Sequence, residues 1–153
     1  MKKILFITDS HGNKNAIISL KDVMKGVDYI FHAGDHYYDI EKFANEYVNK
    51  TISVFGNCDG KGEEKFFNVE NVKILLVHGD KYHVKTGLLR LKLRALEIGA
   101  NLVCFGHTHS ALNEVSDGIT YCNAGNLTRF GKKSYAIITV DGSDVQIDIK
   151  QLD

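Results

Sequence analysis

The sequence predicts an α/β fold of two packed, mixed β-sheets flanked by helices, and three observations predict it. Continuous apolar runs of strand length recur along the chain. The first half alternates such runs with helical stripes, whereas the second half spaces most of its runs too closely for helices to fit between them. A chain of 153 residues, 25% charged and 44% hydrophobic, has the composition of one ordinary globular domain over 1–153, large enough to fold without staples.

The elements follow in order. Ile4, Leu5, Phe6 and Ile7 form an unbroken apolar run, the pattern of a strand buried on both faces. Ala16, Ile17, Leu20, Val23, Met24 and Val27 then fall at three- and four-residue spacings, one stripe of a helix that Asn13 can cap. Residues 29–31 make a second strand. Ile40, Phe43, Ala44 and Tyr47 mark a second helical stripe, and residues 52–55 a third strand, so the chain opens as βαβαβ with parallel strands and right-handed crossovers. Residues 66–69 and 72–77 are close enough to pair as a hairpin. A leucine-rich helix over 85–98 leads into a strand at 102–105, and strands at 119–122, 135–140 and 145–149 complete an antiparallel-rich second half.

Composition narrows the function. Nineteen basic side chains balance nineteen acidic ones, so the general attraction used by nucleic-acid binders is missing and strong nucleic-acid binding is not expected. Proline is absent, and no linker, repeat or low-complexity stretch divides the chain. The apolar run after Met1, Lys2 and Lys3 stops before Asp9, too short for a secretory leader or a membrane span. Cys58, Cys104 and Cys122 cannot all pair, which fits a reducing compartment. The expectation is a cytoplasmic protein with no membrane partner; whether it forms a homo-oligomer stays open.

Five apolar runs end in residues that bind metals: Asp9 with His11, Asp35, Asn57, His78, and His107 with His109. Strand carboxyl ends form the ligand crevice of open α/β folds, so these seven side chains are expected to share one rim. Gly34, Gly56 and Gly106 precede three of them, where glycine lets the backbone turn or approach closely. Four imidazoles, two carboxylates and one amide suit Mn, Fe, Ni, Co or Zn rather than calcium. Seven donors exceed one tetrahedral ion, and two ions bridged by Asp35 would use them all. Paired ions clamp the attacking and leaving oxygens of a phosphoryl transfer and supply hydroxide at neutral pH.

The blocks Asp9-Ser10-His11, Gly34-Asp35, Gly56-Asn57-Cys58-Asp59, His78-Gly79 and Gly106-His107-Thr108-His109 resemble, in order and spacing, the five motif blocks of the calcineurin-like metallophosphoesterases. The short chain and the Gly-Asn-Cys-Asp variant are most similar to the small YfcE-like phosphodiesterases. This resemblance implies the layered α-β-β-α sandwich. It implies one ion held by Asp9, His11, Asp35 and His109, and a second held by Asp35, Asn57, His78 and His107. Asn57 would also touch the substrate phosphate, and the nucleophile would be metal-activated water rather than a side chain. Manganese is the expected ion, with Ni, Fe, Co and Zn as alternatives. Three departures stand out: Cys58 occupies the slot where many relatives carry a histidine that protonates the leaving group, Asp80 replaces a second histidine after His78-Gly79, and Asn123-Ala124-Gly125-Asn126 replaces Asn-Pro-Gly-Ser.

The first departure bends the expectation toward a phosphodiesterase acting on a small phosphoester, with little help from a protein acid. The alternatives are a phosphomonoesterase acting on a nucleotide or sugar phosphate, and a non-catalytic metal-binding scaffold, since a retromer subunit shares the family's fold. Among other residues, His32 reads as a core histidine, and His36 and His83 as site neighbours or exposed side chains. Lys85, Arg90, Lys92 and Arg94 read as a solvated helix face, and Arg129 as a candidate phosphate contact.

Overall fold

Ile4, Leu5, Phe6 and Ile7 are all fully buried, so strand β1 (Lys2–Ile7) is covered on both faces. In the computed structural model, which describes residues 1–153, helices α1 (Lys14–Ser19) and α2 (Lys21–Lys25) carry the chain to β2 (Tyr29–His32), parallel to β1. Helix α3 (Asp39–Phe43) and a 3-10 helix (Asn45–Lys50) carry it on to β3 (Thr51–Ser53), parallel to β2.

The hairpin of β4 (Glu64–Val69) and β5 (Val72–Val77) opens a second sheet. Helix α4 (Leu89–Ile98) then crosses to β6 (Leu102–Phe105), parallel to β5, followed by the antiparallel pair β7 (Leu112–Ser116) and β8 (Ile119–Asn123). Finally β9 (Lys133–Asp141) returns to the first sheet antiparallel to β1, and β10 (Asp144–Leu152) pairs with β9. The sheet orders are β10-β9-β1-β2-β3 and β4-β5-β6-β8-β7.

The alternation along each central strand sorts the core into layers. Ile4, Phe6, Phe31, Ala136 and Ile138 meet Ile74, Leu76, Leu102, Cys104 and Cys122 between the sheets. Leu5, Ile7 and Ile30 face the other way, against Ile17, Leu20, Met24 and Ile40 of the first three helices. Leu75, Val103 and Phe105 do the same against Leu91 and Ala95 of α4. The layers are therefore helix, sheet, sheet, helix, as expected.

The helices are shorter than their apolar stripes. The stripe from Ala16 to Val27 is two helices joined at Leu20 (φ −91°, ψ 0°), a local tightening that keeps Ile17, Leu20 and Met24 on one cluster. Asn13 caps α1 as expected, its side chain accepting from the Ala16 N–H. The stripe from Ile40 to Tyr47 breaks at Ala44 (φ −145°) and finishes as the 3-10 helix. The helix expected from residue 85 starts at Leu89, because Gly87 has a positive φ of 142°. Strand β7 was not foreseen: its half-exposed edge carries only Leu112 and Val115 as apolar residues. No helix is long and apolar enough to cross a membrane, and all three cysteines are free.

Candidate metal centre

β1, β2, β3, β5 and β6 end at one rim, where loop hydrogen bonds continue the sheets past the strands. Asp9 N–H donates to Gly34 O at 3.0 Å, Gly106 N–H to His78 O at 2.9 Å, and Leu127 N–H to Asp9 O at 3.2 Å. These bonds tie the loop bearing Asp9 and His11 to the loop bearing Asp35, and the loop bearing His78 to the loop bearing His107 and His109. Five of them, Asp9, His11, Asp35, His107 and His109, hold left-handed backbones with φ between 44° and 72°. Non-glycine residues in that region are strained, and such strain collects at functional sites.

Two of the glycines explain how the loops come so close. Gly34 has φ +106°, and a Cβ there would stand 2.5 Å from Gly56 N. At Gly106 a Cβ would stand 2.6 Å from Asp9 Oδ2. Neither backbone has room for a side chain.

One donor atom each from Asp9, His11, Asp35 and His109 lies within 4.8 Å of the others. The fully buried Asp9 divides its two oxygens. Oδ2 accepts from Thr8 Oγ1 at 2.6 Å and from His107 N–H at 3.1 Å, while Oδ1 faces the cluster and has no hydrogen-bond partner. His109 Nε2 stands 3.1 Å from Oδ1, and His11 Nε2, also without a hydrogen bond, stands 3.7 Å away. Asp35 is arranged likewise: Oδ1 accepts from Cys58 N–H at 2.9 Å, and Oδ2 lies 3.4 Å from both His11 Nε2 and His78 Nε2.

His78 leads into the other half of the site. Its Nδ1 faces the Ala33 carbonyl at 2.9 Å and must donate there, which fixes the tautomer and leaves Nε2 with the free lone pair of the neutral ring. Nε2 faces Asn57 Oδ1 at 2.9 Å and His107 Nδ1 at 3.1 Å. An amide oxygen and a ring nitrogen at that separation need a proton or a cation between them. Together with the unpartnered Asp9 Oδ1 and His11 Nε2, this makes a donor set that fits divalent transition metals.

Charge is shared unevenly across the cluster. Burial alone would push the Asp9 carboxyl up, but the imidazoles of His109 and His11 hold it far below the usual carboxylate range. Asp35 is likewise held down, chiefly by His78 and the Cys58 N–H against the opposing effect of burial. The Asp9 carboxylate raises the His11 imidazole. Despite its burial, His78 is raised by Asp35 and Asp9, whereas His107 is lowered by burial and by His78.

The polar residues that brace these loops escaped the sequence reading. Asp59 Oδ2 accepts from the N–H groups of Asp35 (2.8 Å) and Gly56 (2.9 Å), and Oδ1 accepts from His36 N–H (2.7 Å). The buried Asp39 Oδ2 accepts from Ser10 Oγ (2.6 Å) and Gly12 N–H (2.8 Å). His32 is a core histidine, as expected, but a bonded one: Gly34 N–H donates to its Nδ1, so its Nε2–H donates to Ser10 Oγ. Burial lowers its pKa to about 4.

The Asn123 loop also braces rather than contacts. Asn123 Nδ2 donates to Gly106 O and Thr108 Oγ1, and Asn126 Nδ2 donates to His109 O. Asp80 opens a short 3-10 turn (Asp80–Tyr82) outside the donor cluster. His83 is exposed, whereas the His36 ring lies 5.4 Å from that of His11. Arg94 and Lys92 pair with Glu64 and Glu114, as a solvated face would, and Arg129 reaches Gly12 O at 3.4 Å beside His11.

Residues 1–143 match the family model of the calcineurin-like phosphoesterase superfamily domain. The chain belongs to that superfamily. It is 36% identical over 145 residues, 90% of this chain and 84% of the relative, to the Bacillus subtilis protein named "Probable metallophosphoesterase YsnB". Among solved structures, a conserved Streptococcus pneumoniae protein described as a predicted phosphoesterase superposes with a TM-score of 0.81 at 23% identity, covering 98% of this chain and 89% of that one. Vps29 from Cryptosporidium parvum gives 0.80 at 15% identity (99% and 97%), and a novel archaeal phosphodiesterase 0.77 at 19% (97% and 99%). At these identities the superpositions establish the shared sandwich fold. For a member of this superfamily, a divalent-metal centre at the rim agrees with the donor cluster.

Proposed function

We propose that the chain is a phosphodiesterase using two divalent metal ions, carried on one domain, with manganese as the working ion. The observation that carries this reading is the pair of donor groups meeting at Asp35. Asp9, His11, Asp35 and His109 would hold one ion, and Asp35, Asn57, His78 and His107 the other. Bound there, paired ions lower the pKa of a water toward neutrality and offset the charge that grows on the phosphoryl oxygens.

The side chains prepare that chemistry. Asp35 Oδ1 is fixed by Cys58 N–H, which leaves Oδ2 turned toward both histidine groups. With Oδ1 directed at His78, Asn57 keeps an amide nitrogen to offer a phosphate oxygen. At the leaving-group position, burial and the Asp35 carboxylate push the Cys58 thiol pKa up, away from the range suited to a general acid at neutral pH. Diesters with good leaving groups need such an acid least. The substrate on this reading is a small phosphoester, and the free thiols fit a reducing cytoplasm.

Hydrolysis of bis-p-nitrophenyl phosphate and p-nitrophenyl phosphate by metal-stripped protein, reloaded with Mn, Ni, Co, Fe or Zn, tests the reading. We expect metal-restored turnover with kcat/KM at least tenfold higher for the diester. Preference for the monoester would make the protein a phosphomonoesterase, and silence with two ions bound would mean either a more demanding substrate or a site kept for binding.

A further inference from the structure

One side of the rim is aromatic. The His11 ring is followed at 5.4 Å by that of His36, which is followed at 5.4 Å by that of Tyr38. Tyr38 meets Tyr37 edge to face at 5.5 Å, and Tyr37 lies at 4.6 Å from Phe55. A continuous line of rings thus runs from a proposed metal ligand to solvent, where Tyr38 is 39% exposed. Tyr37, Tyr38 and Phe55 belong to none of the three apolar clusters that hold the layers together, so the core does not account for them.

The rings are also held in place. Asp59 fixes the His36 backbone through its N–H, and Asp39, the residue after Tyr38, is fully buried, which holds the backbone on both sides of the rings. Rings that are already ordered lose little freedom when a flat group stacks on them.

We propose that His36 and Tyr38 form the subsite for the retained arm of the substrate, and that this arm is a flat aromatic group such as a nucleoside. The proposal rests on the phosphodiesterase reading for the word substrate, while the subsite itself can be measured by binding alone.

The test uses three p-nitrophenyl diesters with a common leaving group and a thymidine-5′, phenyl or methyl retained arm. Calorimetric affinities of the manganese-loaded protein for thymidine 5′-monophosphate and methyl phosphate are measured alongside. Stacking a base on an aromatic side chain predicts a preference of about tenfold for the ring-bearing arm in both kcat/KM and affinity. Tyr38→Ala is expected to erase most of that preference, and Tyr38→Phe to keep it, since the ring and not the hydroxyl does the stacking. A phenyl ester matching the thymidine ester shows that any flat ring suffices; a phenyl ester as slow as the methyl one shows that the site reads the nucleoside. Equal affinities for the two monophosphates, or a preference that Tyr38→Ala leaves intact or Tyr38→Phe destroys, would overturn the subsite. Selective nucleotide binding without turnover of any ester would sink the phosphodiesterase reading and leave the subsite standing.

Discussion

Asp9 and Asp35 each commit one oxygen to neighbouring donors and leave the other facing the cluster. Their orientation is set before any ion arrives, and the residues that set it have their own measurable signatures. Asp59 is an acceptor for three N–H groups around Asp35, so Asp59→Ala should cost about 2–3 kcal/mol in urea unfolding and weaken manganese binding at least tenfold. His32 gives a pH signature. Its folded pKa of about 4 lies below the roughly 6.5 of an unfolded histidine, so the unfolded chain takes up the proton first. Its contribution is full above pH 6.5 and is lost as pH falls from 6.5 to about 4, by about 3 kcal/mol in total. A pH series of unfolding free energies should show that fall in the parent protein and a shallower one in His32→Gln. The seven donors are legible because each follows an apolar run, whereas Asp39 carries no signal and Ser10, Asp59 and Asn123 stand in the motif blocks without any sign of their bracing role. Their partners lie mostly 15 to 29 residues away, and a single polar residue carries no mark of a partner that only the folded loops supply.

At the scale of elements, five strand ends converge because parallel crossovers return each strand in the same direction to the same rim. The continuous apolar runs made these strands readable. The helices were readable by face but not by length, since the breaks at Leu20 and Ala44 preserve the stripe and change only the backbone. Strand β7 pairs at an edge with half its surface exposed and left no apolar pattern to find. The close approach of the β6 end to the β1 end depends on Gly106. We expect Gly106→Ala to drive Asp9 from its place, abolishing metal binding in calorimetry, because the added Cβ would overlap Thr8 and Asp9. Ordinary manganese affinity in that variant would show that the loops have slack.

Across the whole molecule, the donors come from both sheets. Asp9, His11, Asp35 and Asn57 follow strands of the first, and His78, His107 and His109 follow strands of the second. Each proposed ion would therefore join the two layers at the rim, on the same side of the apolar core that joins them below. Metal at a thousandfold excess over its Kd should add about 4 kcal/mol per site, and Tm should rise by about 10 °C per ion over chelated protein in calorimetric scans. A Tm that chelation leaves unchanged would mean that metal does not join the sheets.

Manganese titration into stripped protein, with hydrolysis of bis-p-nitrophenyl phosphate followed at each addition, tests the central claim most directly. Turnover should rise from background and saturate at two ions per chain, and Asp35→Asn, folded by circular dichroism, should lower it by about a thousandfold. Turnover that persists in chelated protein, saturation at one ion per chain, or full activity in metal-loaded Asp35→Asn would contradict it.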